Sequence, residues 1–384
     1  YTIRRYVNEA IGGSSVIWFE ALSIVEAGRS SKTQLLLTRD TLDEFKKMTS
    51  AVKEAGLKAN GYAPYLIMQA NHSGRYSNPD NKPAPMIAYR HPILEQYRAA
   101  DDSCIVTDDY LKSLEEKFGE ASALAKEAGF DAIDIKSCHG YLLAELSSAY
   151  NRPGEYGGCF ENRFRLLKNG IRAAKVHEDE SFMVSARVGI YDGYAYPWGF
   201  GVSPESGETP DLTEPVRLVR ELHDELGLDM VNLTMGNPYA TTHVTRPFDF
   251  GKYEPDEHPF VGLSRMIHGI GEVKKAVPAM TVWASAPSYL RAYADLFTAG
   301  AVEQGLCDGM LFGRMAFADP DFANEIVKKG RIDPNRVCLT CGKCGDLIRA
   351  HKPTGCVIRD NKTFMPFYKE FLEIKKTQPA NFRG

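Results

Sequence analysis

The sequence lacks any run of about 18 apolar residues, the length that a helix needs to cross a bilayer. It also lacks an excess of one charge, since 46 Lys and Arg residues stand against 50 Asp and Glu residues and the net charge is -4. Nucleic acids and anionic membranes attract proteins through large basic surfaces. Neither kind of partner is therefore expected for this chain.

A secretory signal is also missing near the start of the sequence. A chain of 384 residues without such a signal is expected in a reducing, cytoplasmic compartment, where cysteines bind metals more often than they form disulfides. The segment Tyr1–Tyr6 already has the pattern of a helix interior. This pattern predicts a further segment ahead of Tyr1.

The sequence has no complete glycine-rich turn for binding a dinucleotide. The nearest match, Gly269–Gly271, lies inside a helical pattern and lacks the third glycine. Short apolar strands nevertheless alternate with helices along most of the chain, seven strands in all, which is typical of a parallel sheet covered by helices. Without the glycine turn, this alternation favours a TIM (β/α)8 barrel over a doubly wound sheet, with the first strand expected ahead of Tyr1.

No domain boundary is visible before residue 330, so we predict a barrel over residues 1–330 and a separate C-terminal segment over residues 331–384. This segment holds four of the eight cysteines, namely Cys338, Cys341, Cys344 and Cys356. Three closely spaced thiolates suit three corners of a [4Fe–4S] cluster, with the fourth arriving from further along the chain. Zinc, which usually takes two separated pairs, and free or disulfide-bonded thiols remain alternatives.

Polar residues gather where the apolar strand Ala132–Ile135 ends. Lys136, His139 and Tyr141 follow this strand, and barrel enzymes keep their chemistry at the carboxyl ends of their strands. A tyrosine beside a cation can donate a proton, while a lysine and a histidine can stabilise a developing oxyanion. The structural alternative is a set of polar side chains that satisfy one another.

Other strands end in polar residues of the same kind. Gln69 and Arg187 each end an apolar strand, and Gly313–Arg314 follows the last one. An amide can bind a planar heterocycle, a strand-end arginine needs an acceptor, and a glycine–arginine turn suits a phosphate. A core amide, an internal ion pair and a surface turn are the corresponding structural alternatives.

Several motifs together resemble the Old Yellow Enzyme family of FMN-dependent oxidoreductases. The segments that carry the resemblance are Gln69–Arg75, Phe118–Asp131, His139–Leu143 and Tyr156–Arg163. The four clustered cysteines resemble those of the family's iron–sulfur branch, whose larger members continue into FAD and NAD(P)H domains. The resemblance extends over nearly the whole chain as far as Cys356.

The resemblance implies an eight-stranded barrel with FMN at its C-terminal mouth. Gln69 would bind the flavin pyrimidine edge, Arg187 would stabilise negative charge near N1 and O2, and Ala21 would approach the ring. His139 matches the position that holds the substrate oxygen, and Tyr141 matches the proton donor. The residues implied for the phosphate are Ala284, Ser285, Ala286, Gly313 and Arg314.

Two positions depart from the family pattern. Lys136 stands where many relatives have histidine, which favours an acidic or strongly polarised substrate. Ala284–Ala286 stands where relatives usually carry glycine, which leaves open how this loop would shape the phosphate site.

The function that the resemblance implies is reduction of the C=C bond of an α,β-unsaturated ketone, acid or thioester. FMN would supply hydride after reduction by NAD(P)H or through the cluster, Lys136 and His139 would polarise the carbonyl, and Tyr141 would protonate the α-carbon. The alternative is an amine-type dehydrogenase that passes electrons through the cluster to a partner flavoprotein. A barrel that serves only binding or electron transfer is a third interpretation. The expected partners are a small unsaturated substrate, an electron-transfer protein and a second copy of the chain.

Overall fold

A computed structural model describes residues 1–206, 209–249 and 253–377 of the chain. Its centre is one seven-stranded parallel sheet in which the strands lie side by side in chain order. The strands are Val16–Ser23 (β1), Tyr65–Asn71 (β2), Ala132–Ser137 (β3), Met183–Gly189 (β4), Met230–Thr234 (β5), Thr281–Ser285 (β6) and Gly309–Leu311 (β7). The predicted alternation of strands and helices is confirmed.

The sheet curls into a barrel. Trp18 of β1 and Trp283 of β6 meet inside it, with ring centroids 6.4 Å apart, and both belong to an apolar cluster with Ala132 of β3. Strands β1 and β7 form the two edges of the sheet, and within the described residues no strand lies between them. The architecture is therefore that of a TIM barrel with seven of its eight strand positions filled in the described part of the chain.

Helices surround the sheet. In the long helix Asp108–Glu127, between β2 and β3, Thr107 is the cap and accepts the backbone N–H of Tyr110. This helix packs on the helix Arg165–Lys175, which lies between β3 and β4. The helices are Thr2–Ile11 (α1), Leu42–Asn60 (α2), Pro92–Glu95 (α3), Asp108–Glu127 (α4), Leu142–Ser147 (α5), Phe160–Arg163 (α6), Arg165–Lys175 (α7), Thr213–Asp224 (α8), Thr242–Thr245 (α9), Pro259–Ala276 (α10), Ala294–Glu303 (α11), Gly313–Ala318 (α12), Phe322–Lys329 (α13), Lys343–Arg349 (α14) and Asn361–Thr377 (α15). No helix in the described ranges combines the length and the apolar character needed to span a membrane.

The helices beside the two edges of the sheet, α1 and α13, contact each other. The backbone N–H of Asn324, in α13, donates to the carbonyl of Gly12 at the end of α1, over 3.0 Å. A Cβ atom at Gly12 would lie 1.8 Å from the carbonyl oxygen of Pro320, so only glycine allows this close approach. The outer ring of helices is thus continuous where the sheet itself has two edges.

The segment after residue 330 packs on the barrel. Ile332 and Val337 share an apolar cluster with Ala294 of α11 and Met315 of α12. The division at residue 330 remains a prediction, and residues 378–384 of the predicted segment lie outside the described part of the chain.

Candidate functional site

A polar layer lies inside the barrel above the apolar cluster. Asp134 points inward because side chains on a strand alternate, and Ala132, two residues earlier, belongs to the inner cluster. The Oδ2 of Asp134 accepts the indole N–H of Trp18 over 2.9 Å and the amide N–H of Gln69 over 2.8 Å. Burial raises the pKa of Asp134. The Gln69 amide, predicted to bind the flavin, is held by a carboxyl group that the sequence analysis did not identify.

Ala21 lies beside Gln69 in the paired strands β1 and β2. Its carbonyl oxygen accepts a hydrogen bond from the Nε2 of Gln34 over 2.8 Å. Ala21 and Gln69, both predicted to contact the flavin, thus lie next to each other near the carboxyl ends of these strands.

Two cations form the next layer toward the carboxyl ends of the strands. Lys136 of β3 is in register with Arg187 of β4, and Arg187 is in register with Asn232 of β5. Among the described residues, the Nε of Arg187 and the Nδ2 of Asn232 are buried without a hydrogen-bond partner. Buried donors without partners are rare and costly, so this layer lacks an acceptor that a ligand can provide.

Lys136 is almost fully buried. Burial lowers the pKa of this lysine to about 8, and the neighbouring charge of Arg187 also acts to lower it. Its Nζ lies 4.3 Å from the centre of the Tyr141 ring. Lys136 therefore carries most of its charge at neutral pH and loses it in mildly alkaline solution.

His139 follows β3 in a strained turn. Its φ is 68°, a left-handed conformation that non-glycine residues rarely adopt, and Gly140 has the same φ. A Cβ atom at Gly140 would lie 2.0 Å from the Nδ2 of Asn237, so this position requires glycine. The Nε2 of His139 is buried with no hydrogen-bond partner among the described residues. Burial, reinforced by the charges of Arg187 and Lys136, lowers the pKa of His139 well below its usual range.

Tyr141 belongs to a group of three tyrosines. Its hydroxyl lies 3.2 Å from the hydroxyl of Tyr239, whose ring stacks on that of Tyr76 with centroids 3.5 Å apart. Burial raises the pKa of Tyr141, so the phenol keeps its proton at neutral pH. Tyr76 and Tyr239 were missed by the sequence analysis, although each follows a strand end, Tyr76 directly after the Gln69–Arg75 motif.

A buried ion pair holds the tyrosine-bearing loops together. The Nε of Arg75 donates to Oε1 of Glu145 over 3.1 Å, its Nη2 contacts the same oxygen, and both side chains are fully inaccessible to solvent. Arg75 precedes Tyr76 in the loop after β2, and Glu145 lies in α5, which begins directly after Tyr141. The pair therefore joins the segment that carries Tyr76 to the segment that carries Tyr141.

The residues predicted for the phosphate lie at the ends of β6 and β7. Ser285 donates to Oδ1 of Asn232 over 3.2 Å, while Ala286 has a φ of 71°. The left-handed backbone at Ala286 explains why glycine would suit this position. Arg314 is the second residue of α12, the helix after β7, and its Nη2 is buried without a partner in the described part of the chain.

The four clustered cysteines come together. Cys338, Cys341, Cys344 and Cys356 line one cavity, which Arg314 also borders. The backbone N–H of Thr340 donates to Sγ of Cys338 over 3.4 Å, and the N–H of Arg359 donates to Sγ of Cys356 over 3.3 Å. In the described ranges, no three His, Cys, Asp or Glu side chains converge as ligands of a single metal ion do. The four thiols therefore share a cavity, while no metal site is shown there within the described residues.

Residues 2–200 match the sequence profile of the NADH:flavin oxidoreductase / NADH oxidase family. The chain is 33% identical over 178 residues to an NADPH dehydrogenase of Bacillus velezensis, an alignment that covers 46% of this chain and 49% of that protein. It is 24% identical over 344 residues to an NADH oxidase of Thermoanaerobacter brockii, covering 88% of this chain and 47% of the relative. The chain thus spans about half the length of these curated relatives.

Two solved structures share the fold. A 2-naphthoyl-CoA reductase in complex with 2-naphthoyl-CoA superposes with a TM-score of 0.73 at 18% identity, covering 93% of this chain and 51% of that one. An Old Yellow Enzyme homologue from Zymomonas mobilis superposes with a TM-score of 0.60 at 20% identity, covering 86% of this chain and 84% of that one. Both likenesses support the barrel architecture predicted from the sequence.

Proposed function

Because the chain belongs to the NADH:flavin oxidoreductase / NADH oxidase family, we propose that it is an FMN-dependent oxidoreductase that reduces the C=C bond of an α,β-unsaturated carbonyl compound. The observation that carries the proposal is a set of buried nitrogen atoms without partners among the described residues, at the carboxyl ends of the strands. They belong to Arg187, Asn232, His139 and Arg314. NAD(P)H is the proposed electron donor.

These residues fit FMN. The Nε of Arg187 and the Nδ2 of Asn232 offer hydrogen bonds to a ring rich in acceptors, and Arg314 offers one to a phosphate. Ala21 and Gln69 would border the ring, and Ala284–Ala286 with Gly313 would supply the backbone around the phosphate. When bound, FMN supplies hydride.

The side chains beside this site would bind the substrate carbonyl and donate a proton. Lys136 carries a positive charge, and His139 has a free Nε2 in a buried setting where electrostatic interactions are strong, so both can hold the carbonyl oxygen of a substrate. Tyr141 keeps its proton and lies beside Lys136, so its hydroxyl can protonate the α-carbon. Asp134 orients Gln69 below them.

The cationic charge of the site also bears on the substrate. Lys136 and Arg187 are adjacent, and the carboxyl group of Asp134, two residues before Lys136 on β3, is engaged by Trp18 and Gln69. An ammonium group would be repelled here, whereas a polarised carbonyl or a carboxylate would be attracted. This supports the reductive function over oxidation of an amine.

The alternative function is an amine-type dehydrogenase that passes electrons through an iron–sulfur cluster to a partner flavoprotein. The position of Arg314 is compatible with it, because this residue borders the cysteine cavity and is also proposed to bind the FMN phosphate. A cluster held by the four cysteines would then lie close to the flavin. In the reductive function, the same cluster would pass electrons to the flavin.

One set of measurements separates these functions. Protein purified without oxygen is first analysed for its visible spectrum, flavin and iron. The reduced form is then mixed with enones, and the oxidised form is mixed with amines. Reoxidation of reduced FMN by an enone supports the proposal, and bleaching of oxidised FMN by an amine supports the alternative. A colourless protein without iron would contradict both functions and favour a binding module.

Loss of iron is expected when Cys344 is replaced by alanine. A cubane cluster needs its protein thiolates, so the Cys344→Ala variant should retain less than about half of the wild-type iron. Cys159→Ala, which removes an exposed thiol elsewhere, is the matched control and should keep the wild-type content. Equal iron in both variants, or zinc in the wild-type protein, would rule out the proposed cluster.

The pH dependence of substrate reduction is expected to follow Lys136. If its charge polarises the carbonyl, the rate falls as the pH rises through about 8, where the buried ammonium loses its proton. At pH 9 the rate should be about one tenth of its plateau, since about one tenth of the lysine is still charged. Lys136→Met should remove this alkaline decline, whereas Lys112→Met, at an exposed position of α4, should keep it. An unchanged profile in Lys136→Met would assign the decline to another group.

A further inference from the structure

Tyr239 lies in the connection between β5 and α9, and the proposed mechanism does not use it. Its hydroxyl is 3.2 Å from the hydroxyl of Tyr141, and either oxygen can be the donor. The centroids of the two rings are 6.2 Å apart. Two hydroxyls at this distance are within reach of proton transfer. The residue proposed to protonate the α-carbon therefore has a second phenol as its direct neighbour.

The position of Tyr239 is fixed from two sides. Oδ1 of the fully buried Asn237 accepts the backbone N–H of Tyr239 over 2.9 Å, and the backbone N–H of Asn237 donates to Oγ1 of Thr241 over 2.8 Å. The ring of Tyr239 stacks on that of Tyr76, whose own hydroxyl has no partner among the described residues. Backbone and ring are thus both held, as a group that transfers a proton requires.

Tyr239 is also placed to exchange protons with solvent. It is half-buried, and the carbonyl of the following Ala240 accepts a hydrogen bond from the hydroxyl of the exposed Tyr97 over 3.4 Å. Tyr141 is half-buried in the free protein as well, but a substrate carbonyl held beside Lys136 would cover it. With substrate bound, Tyr141 needs another group from which to regain its proton.

The acidities of the two phenols favour transfer toward Tyr141. Burial raises the pKa of both residues, and it raises that of Tyr141 well above the usual range. The hydrogen bond between the hydroxyls acts to lower the pKa of Tyr239. Tyr239 therefore keeps its proton at neutral pH, yet it is the more acidic member of the pair.

We propose that Tyr239 returns a proton to Tyr141 during alkene reduction. The inference rests on the proposed function, in which Tyr141 protonates the α-carbon. As the O–H bond of Tyr141 breaks and a C–H bond forms at the α-carbon, the O–H bond of Tyr239 breaks and that of Tyr141 forms again. Tyr239 then takes a proton from the solvent, and no electrons are exchanged in these steps. Since Tyr239 touches Tyr141 and acts through it, Tyr239 is a positioning residue for the proton.

Reoxidation of the reduced flavin by an enone, followed in a single turnover, tests the proposal. Tyr239→Phe removes the hydroxyl and keeps the stacked ring. The rate constant should fall about tenfold in this variant, while the Kd of the enone and the rate of flavin reduction by NADPH stay unchanged. Tyr156→Phe is the matched control and should keep the wild-type rate, because the Tyr156 hydroxyl bonds Glu115 away from the site.

A double variant distinguishes proton return from a structural effect. When Tyr239→Phe is added to Tyr141→Phe, the rate should fall no further, because no proton remains to be returned. A residue that only supported the shape of the site would slow the reaction equally with and without the Tyr141 hydroxyl.

A measurement without turnover checks the contact between the two hydroxyls. Replacing Tyr141 by 3,5-difluorotyrosine makes this position the more acidic of the pair, so it ionises first and Tyr239 donates to its phenolate. Its pKa in the holoenzyme, followed by ¹⁹F NMR, should rise by about one unit in Tyr239→Phe, because the phenolate loses a donor. The same pKa should stay unchanged in Tyr156→Phe.

Three results would overturn the inference: a wild-type rate of enone reduction in Tyr239→Phe, an equal loss with and without the Tyr141 hydroxyl, or an unchanged pKa at position 141. Each of these leaves the proposed function intact, provided that the wild-type protein reduces the enone. If no enone reoxidised the reduced flavin of the wild-type holoenzyme, the proposed function would fail and the inference would fail with it.

Discussion

Replacing Tyr141 by phenylalanine is expected to lower the rate of alkene reduction about 10²- to 10⁴-fold, the range that a positioned general acid contributes. The hydroxyl keeps its proton because burial raises its pKa, and it lies beside the charged Lys136. Loss of the hydroxyl removes the proton for the α-carbon and leaves the ring in place. Stopped-flow absorbance of the flavin, with NADPH in one experiment and an enone in the other, measures the two half-reactions separately.

The two half-reactions make this prediction specific. Reduction of FMN by NADPH needs no proton from Tyr141, so its rate should stay within a fewfold of the wild-type value. Tyr156→Phe is the matched control, because Tyr156 is also a buried tyrosine, with its hydroxyl 2.8 Å from Glu115 and away from the site. If Tyr141→Phe reduced the enone at the wild-type rate, another group would have to be the acid. Equal loss in both half-reactions would indicate misfolding of the site.

Replacing Glu145 by alanine is expected to lower the free energy of unfolding by about 3–5 kcal/mol, the cost of leaving one member of a buried ion pair without its partner. Both Arg75 and Glu145 are fully buried, and the guanidinium makes two contacts with one carboxylate oxygen. Solvent does not reach the Arg75 side chain in the folded chain, so the loss of the carboxylate leaves a buried charge. Urea-induced unfolding of the holoenzyme, followed by circular dichroism, measures the change.

A double variant shows whether the unpaired charge is the cause. Arg75→Met combined with Glu145→Met removes both charges and should recover much of the lost stability, since apolar side chains of similar volume often replace a buried pair at little cost. Glu44→Ala, which breaks an exposed pair with Lys47, should leave the unfolding midpoint unchanged. A Glu145→Ala variant as stable as the wild-type protein would show that the pair does not hold these loops.

The strand ends were the part of the site that could be predicted from the sequence. Lys136 and Arg187 each end an apolar stretch, and the structure places them in register on β3 and β4. This result follows from a simple rule: parallel strands in a barrel bring their carboxyl ends to the same rim. The cysteines were equally predictable as a group, because three of them lie within seven residues and now line one cavity.

Contacts between distant segments could not be predicted in the same way. Gln69 was predicted to bind the flavin, and its Nε2 donates to Asp134, a partner 65 residues away in the chain that no local pattern indicates. Tyr239 lies 98 residues from Tyr141, and no local pattern connects them. Such partners depend on which loops face each other across the barrel mouth.

The sequence by itself determined the alternation of strands and helices, the family and the residue types at the strand ends, because these depend on local periodicity and short motifs. Only the tertiary structure decided which of those residues lack partners. Arg75 is neutralised because Glu145 arrives from another segment, whereas the Nε of Arg187 is buried with no partner among the described residues. Burial and pairing are properties of the packed chain, and they turn an ordinary arginine into a candidate binding residue.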